Sequence, residues 1–109
     1  MTVRELTDAS GFNAQCLPDP SRSITGVYVG DLLSWVMGRA QADDAWITIM
    51  SNVNVIAVAS LSDVSCVILA EGVLPDADLI ELAVSKGINL ITSDLPIYET
   101  AVKISEILQ

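Results

Sequence analysis

The sequence predicts an α/β fold, a three-layer α/β/α domain on a mainly parallel sheet of about four to five strands. Three observations lead there. Hydrophobic residues make up 51% of the chain but aromatics only 5%, so the core is drawn from Val, Ile, Leu and Ala, which suits a parallel sheet covered by helices. Short apolar runs bounded by Gly, Pro, Asp and Ser alternate with segments of helical spacing. At 109 residues the chain has the length of one domain, so residues 1–109 read as a single unit without linker, repeat or low-complexity stretch.

The elements follow in order. Thr2-Val3-Arg4-Glu5 has the spacing of a capping box, and Gly11 stands where the C-terminal cap of a short helix belongs. Phe12, Ala14 and Cys16 alternate with Asn13 and Gln15 as in a short strand, and the two prolines of Leu17 to Arg22 impose a loop. Ile24 to Val29 reads as a strand ended by Gly30 and Asp31, with Asp31 placed to cap the next helix. That helix carries Leu32, Leu33, Val36, Met37 and Ala40 at helical spacing. Asp43-Asp44 interrupts the pattern, and Ala45 to Met50 reads as a strand with Ile47 and Ile49 on one face and Trp46 and Thr48 on the other.

Val53 to Leu61 is open to two readings. Val53, Val55, Ile56 and Val58 favour a strand by propensity. Ser51 and Asn52 are good helix caps, and a helix here completes the alternation, so the segment is read as a buried helix. Ser65 to Ala70 is a buried strand. Pro75, Asp76 and Asp78 open a helix with an apolar stripe of Leu79, Leu82 and Ala83, ended by Gly87. Ile88 to Thr92 is the last strand, and Pro96 starts a helix that aligns Ile97, Ala101, Ile104 and Leu108.

Composition limits the function. The formal net charge is −9, and Arg4, Arg22, Arg39, Lys86 and Lys103 are scattered, so neither a phosphate backbone nor an anionic membrane surface is an expected partner. No apolar run is long enough to span a bilayer. Cys16 and Cys66 follow a polar N-terminus and read as free thiols used as small core hydrophobes in a cytoplasmic protein.

The chain has no histidine, which removes His-dependent triads and zinc sites. It lacks the phosphate-cradling glycine loop with its lysine, and the Gly26 and Gly30 spacing does not fit a dinucleotide fingerprint. Asp43-Asp44 and Asp76-x-Asp78 read as a solvated turn and a helix N-terminus. The expectation is therefore a protein that is not an enzyme and carries neither cofactor nor metal.

Two surfaces remain as candidates. In open parallel sheets ligands bind beyond the C-terminal ends of the strands, and Asp31, Ser51, Asn52, Thr92, Ser93 and Asp94 fall there. Helix capping alone accounts for each of them, so a capping role and a ligand pocket both stand. Trp35 lies off its helix stripe with Leu32 three residues before it, which allows either an interface patch or ordinary core.

Several stretches resemble the DRTGG domain family. They are Gly26-Val27-Tyr28-Val29-Gly30-Asp31-Leu32-Leu33-Ser34, Ala45-Trp46-Ile47-Thr48-Ile49, Leu69 to Asp76, and Ile88 to Ala101 with its Ser93-Asp94 and Tyr98-Glu99-Thr100-Ala101. The resemblance covers nearly the whole chain. It implies a regulatory domain like the N-terminal domain of HPr kinase/phosphorylase, without the catalytic domain, and a homodimer contact. Ser51-Asn52-Val53 replaces the family's Gly-Asp-Arg, and Ala70-Glu71-Gly72 replaces its Thr-Gly-Gly. The expected function is a non-catalytic regulatory module that self-associates. The alternative is a sensor of a nucleotide or acyl phosphate at the strand ends, and a partner protein is a further possibility.

Overall fold

Parallel neighbouring strands need a crossover of a dozen or more residues, and that requirement organises the whole chain. The structure, a computed structural model, describes residues 1–108. The elements are α1 (Val3–Thr7), β1 (Phe12–Cys16), β2 (Gly26–Val29), α2 (Leu33–Arg39), β3 (Asp44–Thr48), α3 (Asn54–Ser62), β4 (Cys66–Leu69), α4 (Ala77–Lys86), β5 (Asn89–Ser93) and α5 (Ile97–Leu108). Strands β2 to β5 are parallel, β1 joins β5 antiparallel, and the sheet order is β1-β5-β4-β3-β2. The three-layer α/β/α architecture expected from the sequence is present. The ambiguous segment is helix α3, because adjacent parallel β3 and β4 leave it no other role than the crossover.

From β2 to β5 the chain advances in one direction across the sheet. Crossovers of one hand then place α2, α3 and α4 on the same face. That face holds Val36 of α2, Val55, Ile56, Val58 and Ala59 of α3, and Leu79 and Ala83 of α4 against Trp46, Val67, Leu69 and Leu90 of the sheet. The opposite face holds Val3 and Leu6 of α1 and Ile104 of α5 against Ala45, Ile47, Cys66, Ile68 and Ile91. The period-two pleat sorts neighbouring strand residues between the two cores. One row crosses every strand: Cys16, Leu90, Val67, Trp46 and Tyr28 are successive cross-strand partners and all pack on the three-helix face.

Local signals act as the sequence suggests at several ends. The Glu5 amide donates to the Thr2 hydroxyl at 3.2 Å and the Thr2 amide to the Glu5 carboxylate at 3.0 Å. The Thr2 amide and hydroxyl together hold the Glu5 carboxyl below its ordinary pKa. Asp76 caps α4 by accepting from the Leu79 amide at 2.8 Å, and Gly87 closes that helix at φ 71°.

Other expectations are corrected. Helix α1 ends at Asp8, before Gly11, which turns the chain into β1 at φ 94°. Strand β3 stops at Thr48, so Ile49 is not a core residue beside Ile47 but is exposed. In α2 only Val36 is buried, with Leu33 and Ala40 packed partly against the core, while Leu32 and Met37 face solvent. Asp43-Asp44 is not a solvated turn: Asp44 is buried as the first residue of β3 and accepts from the Gln41 amide at 2.8 Å. Cys66 is fully buried, but Cys16 is only half-buried because β1 is an edge strand.

The end of the sheet where β3 and β4 begin is tied by Arg22. Its Nη2 donates to Asp43 Oδ1 at 3.0 Å and to Asp63 Oδ1 at 2.8 Å, and also to the Asp63 carbonyl. Asp43 and Asp63 both have left-handed backbone, at φ 69° and 57°, which costs a non-glycine residue free energy. Burial works against the Arg22 charge, yet its hydrogen bonds to Asp63 and Asp43 outweigh that and raise its pKa. The pairs remain partly exposed, so the guanidinium acts mainly by orienting two turns.

Candidate functional site

A crevice opens beyond a parallel sheet where adjacent connections leave toward opposite faces. Here β3 and β4 both lead into helices on the same face, so no divergence occurs after β3. It occurs between β4, which leads to α4, and β5, which leads to α5 on the other face. Any strand-end pocket belongs between the loops Ala70–Pro75 and Ser93–Pro96.

The chain fills that place itself. The Glu71 amide donates to the Leu95 carbonyl at 2.9 Å and the Gly72 amide to the Ser93 carbonyl at 3.0 Å. The Glu71 carboxylate accepts from the Ile97 amide at 2.7 Å, at the N-terminus of α5. The Ser93 hydroxyl lies 2.9 Å from the Thr100 hydroxyl and accepts from the Leu95 amide at 3.1 Å. An anion is favoured at a helix N-terminus, and Glu71 supplies one in cis. Glu71 and Gly72 hold φ of 62° and 72°, which bends the loop back onto β5.

The sequence-predicted residues do not form one cluster. Ser51 and Asn52 follow β3 and Ser93 ends β5, with β4 between, a spacing of roughly 10 Å from two inter-strand steps. Asp31 does not cap α2; that helix starts after Leu32 without a side-chain cap. The Asp31 carboxylate instead accepts from the Thr48 hydroxyl at 2.7 Å and the Ile49 amide at 3.0 Å, tying the end of β2 to the end of β3. Asn52 accepts from the Asn54 amide at 2.9 Å, while α3 begins after Val53, so Ser51 is not its cap. Thr92 is buried, accepting from the Gln15 side chain at 3.1 Å and donating to the Asn13 carbonyl at 3.4 Å. Asp94 is exposed beside the closed loop.

With the polar groups engaged, apolar side chains are left facing solvent. Val29, Ile49, Val53 and Leu74 are exposed on the strand-end loops and helix starts. Leu32 and Trp35 are exposed at 57% and 53% on the first turn of α2, which decides against the core reading of Trp35. The Arg39 guanidinium stacks 4.0 Å from the Trp35 ring centre. Sequence reasoning missed Glu71 as a structural group and Val29, Ile49 and Leu74 as surface. Glu71 meets Ile97 26 residues later, and no local pattern announces such a pair.

The remaining chemistry is sparse. Among the described residues no three His, Cys, Asp or Glu side chains stand close enough to hold a metal ion. Burial pushes the Cys66 thiol up to about 12 and also raises Cys16, so neither is an activated nucleophile at neutral pH. Among the described residues no helix is long and apolar enough to cross a membrane.

No family model and no curated protein matches the sequence. Among solved structures the chain is similar to one of the CBS and DRTGG domains of the regulatory region of a Clostridium perfringens pyrophosphatase, complexed with its activator diadenosine tetraphosphate. The TM-score is 0.72 and the sequence identity 22%, with 99% of this chain covered. The match spans 46% of the other chain, so this chain corresponds to about half of it. The fold of this chain is thus a DRTGG-like α/β fold.

Proposed function

We propose that residues 1–109 are a non-catalytic regulatory module that acts by contact and self-associates through the start of α2. The carrying observation is the division of the surface: strand-end polar groups are largely satisfied within the chain, while Leu32 and Trp35 are exposed together. Trp is a frequent anchor of interfaces, and an arginine stacked on it is a second common one. A specific interface takes roughly 800 Å² per partner. The domain exposes 5316 Å², so such a contact fits on one side of it. The likeness to a pyrophosphatase regulatory region supports the regulatory part of this reading. Light scattering on a micromolar sample tests it: twice 11.6 kDa is expected, and 11.6 kDa alone contradicts self-association.

A second reading is favoured by the activator bound to the similar structure. In that reading the module senses a nucleotide at the strand ends near Ser93 and Asp94, where the connections after β4 and β5 diverge. Opening the site for a phosphate would require displacing Glu71 from the α5 N-terminus. A thermal-shift titration with diadenosine tetraphosphate tests it. A rise in Tm that grows further in Glu71→Gln supports the sensor; no shift in either protein excludes it for this ligand.

A further inference from the structure

A different surface carries an inference beyond self-association. An open groove of about 370 Å³ lies between the start of α3 and the side of α4, lined by Val53, Asp78, Glu81, Leu82 and Ser85. The four α4 residues recur at i, i+3, i+4 and i+7, which is one stripe of a helix. Leu82 is half-buried against the three-helix core and Val53 is half-exposed, so the floor is apolar. Asp78 and Glu81 stand exposed above it.

The groove's charge selects its occupant. Both ion pairs among the described residues belong to Arg22, so neither Asp78 nor Glu81 is neutralised by a side chain there. Arg39 stacks on Trp35, Arg4 and Lys103 sit on the helices of the opposite face, and Lys86 lies in the last turn of α4 outside the lining. The Ser85 hydroxyl already donates to the Leu82 carbonyl at 3.0 Å. Acceptors and apolar surface remain, without a cationic donor. A second copy would bring the same excess of negative charge, −9 per chain, to a negative rim. We infer that this groove docks a basic amphipathic segment of a partner protein, with an apolar side chain between Val53 and Leu82 and lysine or arginine beside Asp78 and Glu81.

The probe is a 14-residue amphipathic peptide of leucine and lysine, titrated into the full ¹⁵N-labelled chain at low salt. Its counterparts replace all leucines by serine or all lysines by glutamate. Amide shifts centred on Val53, Glu81, Leu82 and Ser85 are expected for the leucine-lysine peptide alone. The double variant Asp78→Asn, Glu81→Gln weakens binding at least fivefold, whereas Glu99→Gln, Glu106→Gln on α5 leaves it unchanged. Equal binding of the serine peptide, shifts spread along α5, or no loss in the first double variant overturns the inference. So does a dilution series of the chain alone that moves the same groove amides, because a second copy then occupies the groove. Failure of self-association at α2 leaves these outcomes unaffected.

Discussion

The Glu71 carboxylate accepts from the Ile97 amide at 2.7 Å and fastens the loop after β4 to the first residue of α5. Glu71 holds this position from a left-handed backbone, φ 62°. Two opposing effects of similar size therefore meet at one residue: a hydrogen bond worth about 1 kcal/mol and backbone strain of roughly 1–3 kcal/mol. Glu71→Ala removes the bond and keeps the strain, so it lowers unfolding free energy by about 1 kcal/mol. Glu71→Gly removes both and comes out near neutral or stabilising. Urea denaturation of the two variants distinguishes them, and equal losses would contradict this assignment.

Gly26 depends on Asp44 in a simpler way. A Cβ at Gly26 would lie 2.5 Å from Asp44 Oδ1, and that carboxylate is fixed by the Gln41 amide through its other oxygen. Gly26→Ala should cost roughly 1–3 kcal/mol as overpacking. Adding Asp44→Ala should make the pair less costly than the sum of the singles, because both act on one contact. Additive losses in a double-mutant cycle would place the clash elsewhere.

Cys66 gives a pH dependence. Its folded pKa is raised from 9.0 to about 12 by burial. A raised folded pKa means full stabilisation below pH 9 and progressive loss as pH rises toward 12, since the unfolded thiol releases its proton first. At 1.36 kcal/mol per unit, the loss across that window is of order 4 kcal/mol. Wild type should therefore lose stability between pH 9 and 11 faster than Cys66→Ala. Parallel curves for the two proteins would show that the thiol is not the titrating group.

Salt separates the two contact surfaces. Self-association of a chain of net charge −9 is opposed by repulsion, so it should strengthen when salt is raised from about 20 mM to 500 mM. Binding of the leucine-lysine peptide to the α3/α4 groove should weaken over the same range. Isothermal dilution and peptide titration at both salt concentrations check the opposite signs.

Much of this architecture is written locally. Thr2 and Glu5, Asp76 and Leu79, and Gly87 mark helix ends with groups a few residues apart, and alternating apolar runs mark the strands. Where the sequence misleads, a distant partner has won. Asp31 looks like a helix cap but is taken by Thr48 and the Ile49 amide across to the next strand. Leu32 and Met37 fit a helical stripe, yet the short α2 turns only Val36 fully inward. Asp44 looks solvated but is buried at the head of β3. The strand-end candidates were legible as positions; that Ser93 and Thr92 are used up by Thr100 and Gln15 depends on the fold.

The central claim is that the exposed start of α2 is a self-association surface. Sedimentation velocity of wild type beside Leu32→Ser, Trp35→Ser measures it directly, since both residues are more than half exposed and their replacement should leave the fold intact. The account expects a concentration-dependent dimer for wild type and a monomer for the double variant at the same concentrations. Identical sedimentation of the two proteins, whether both monomeric or both dimeric, would contradict it.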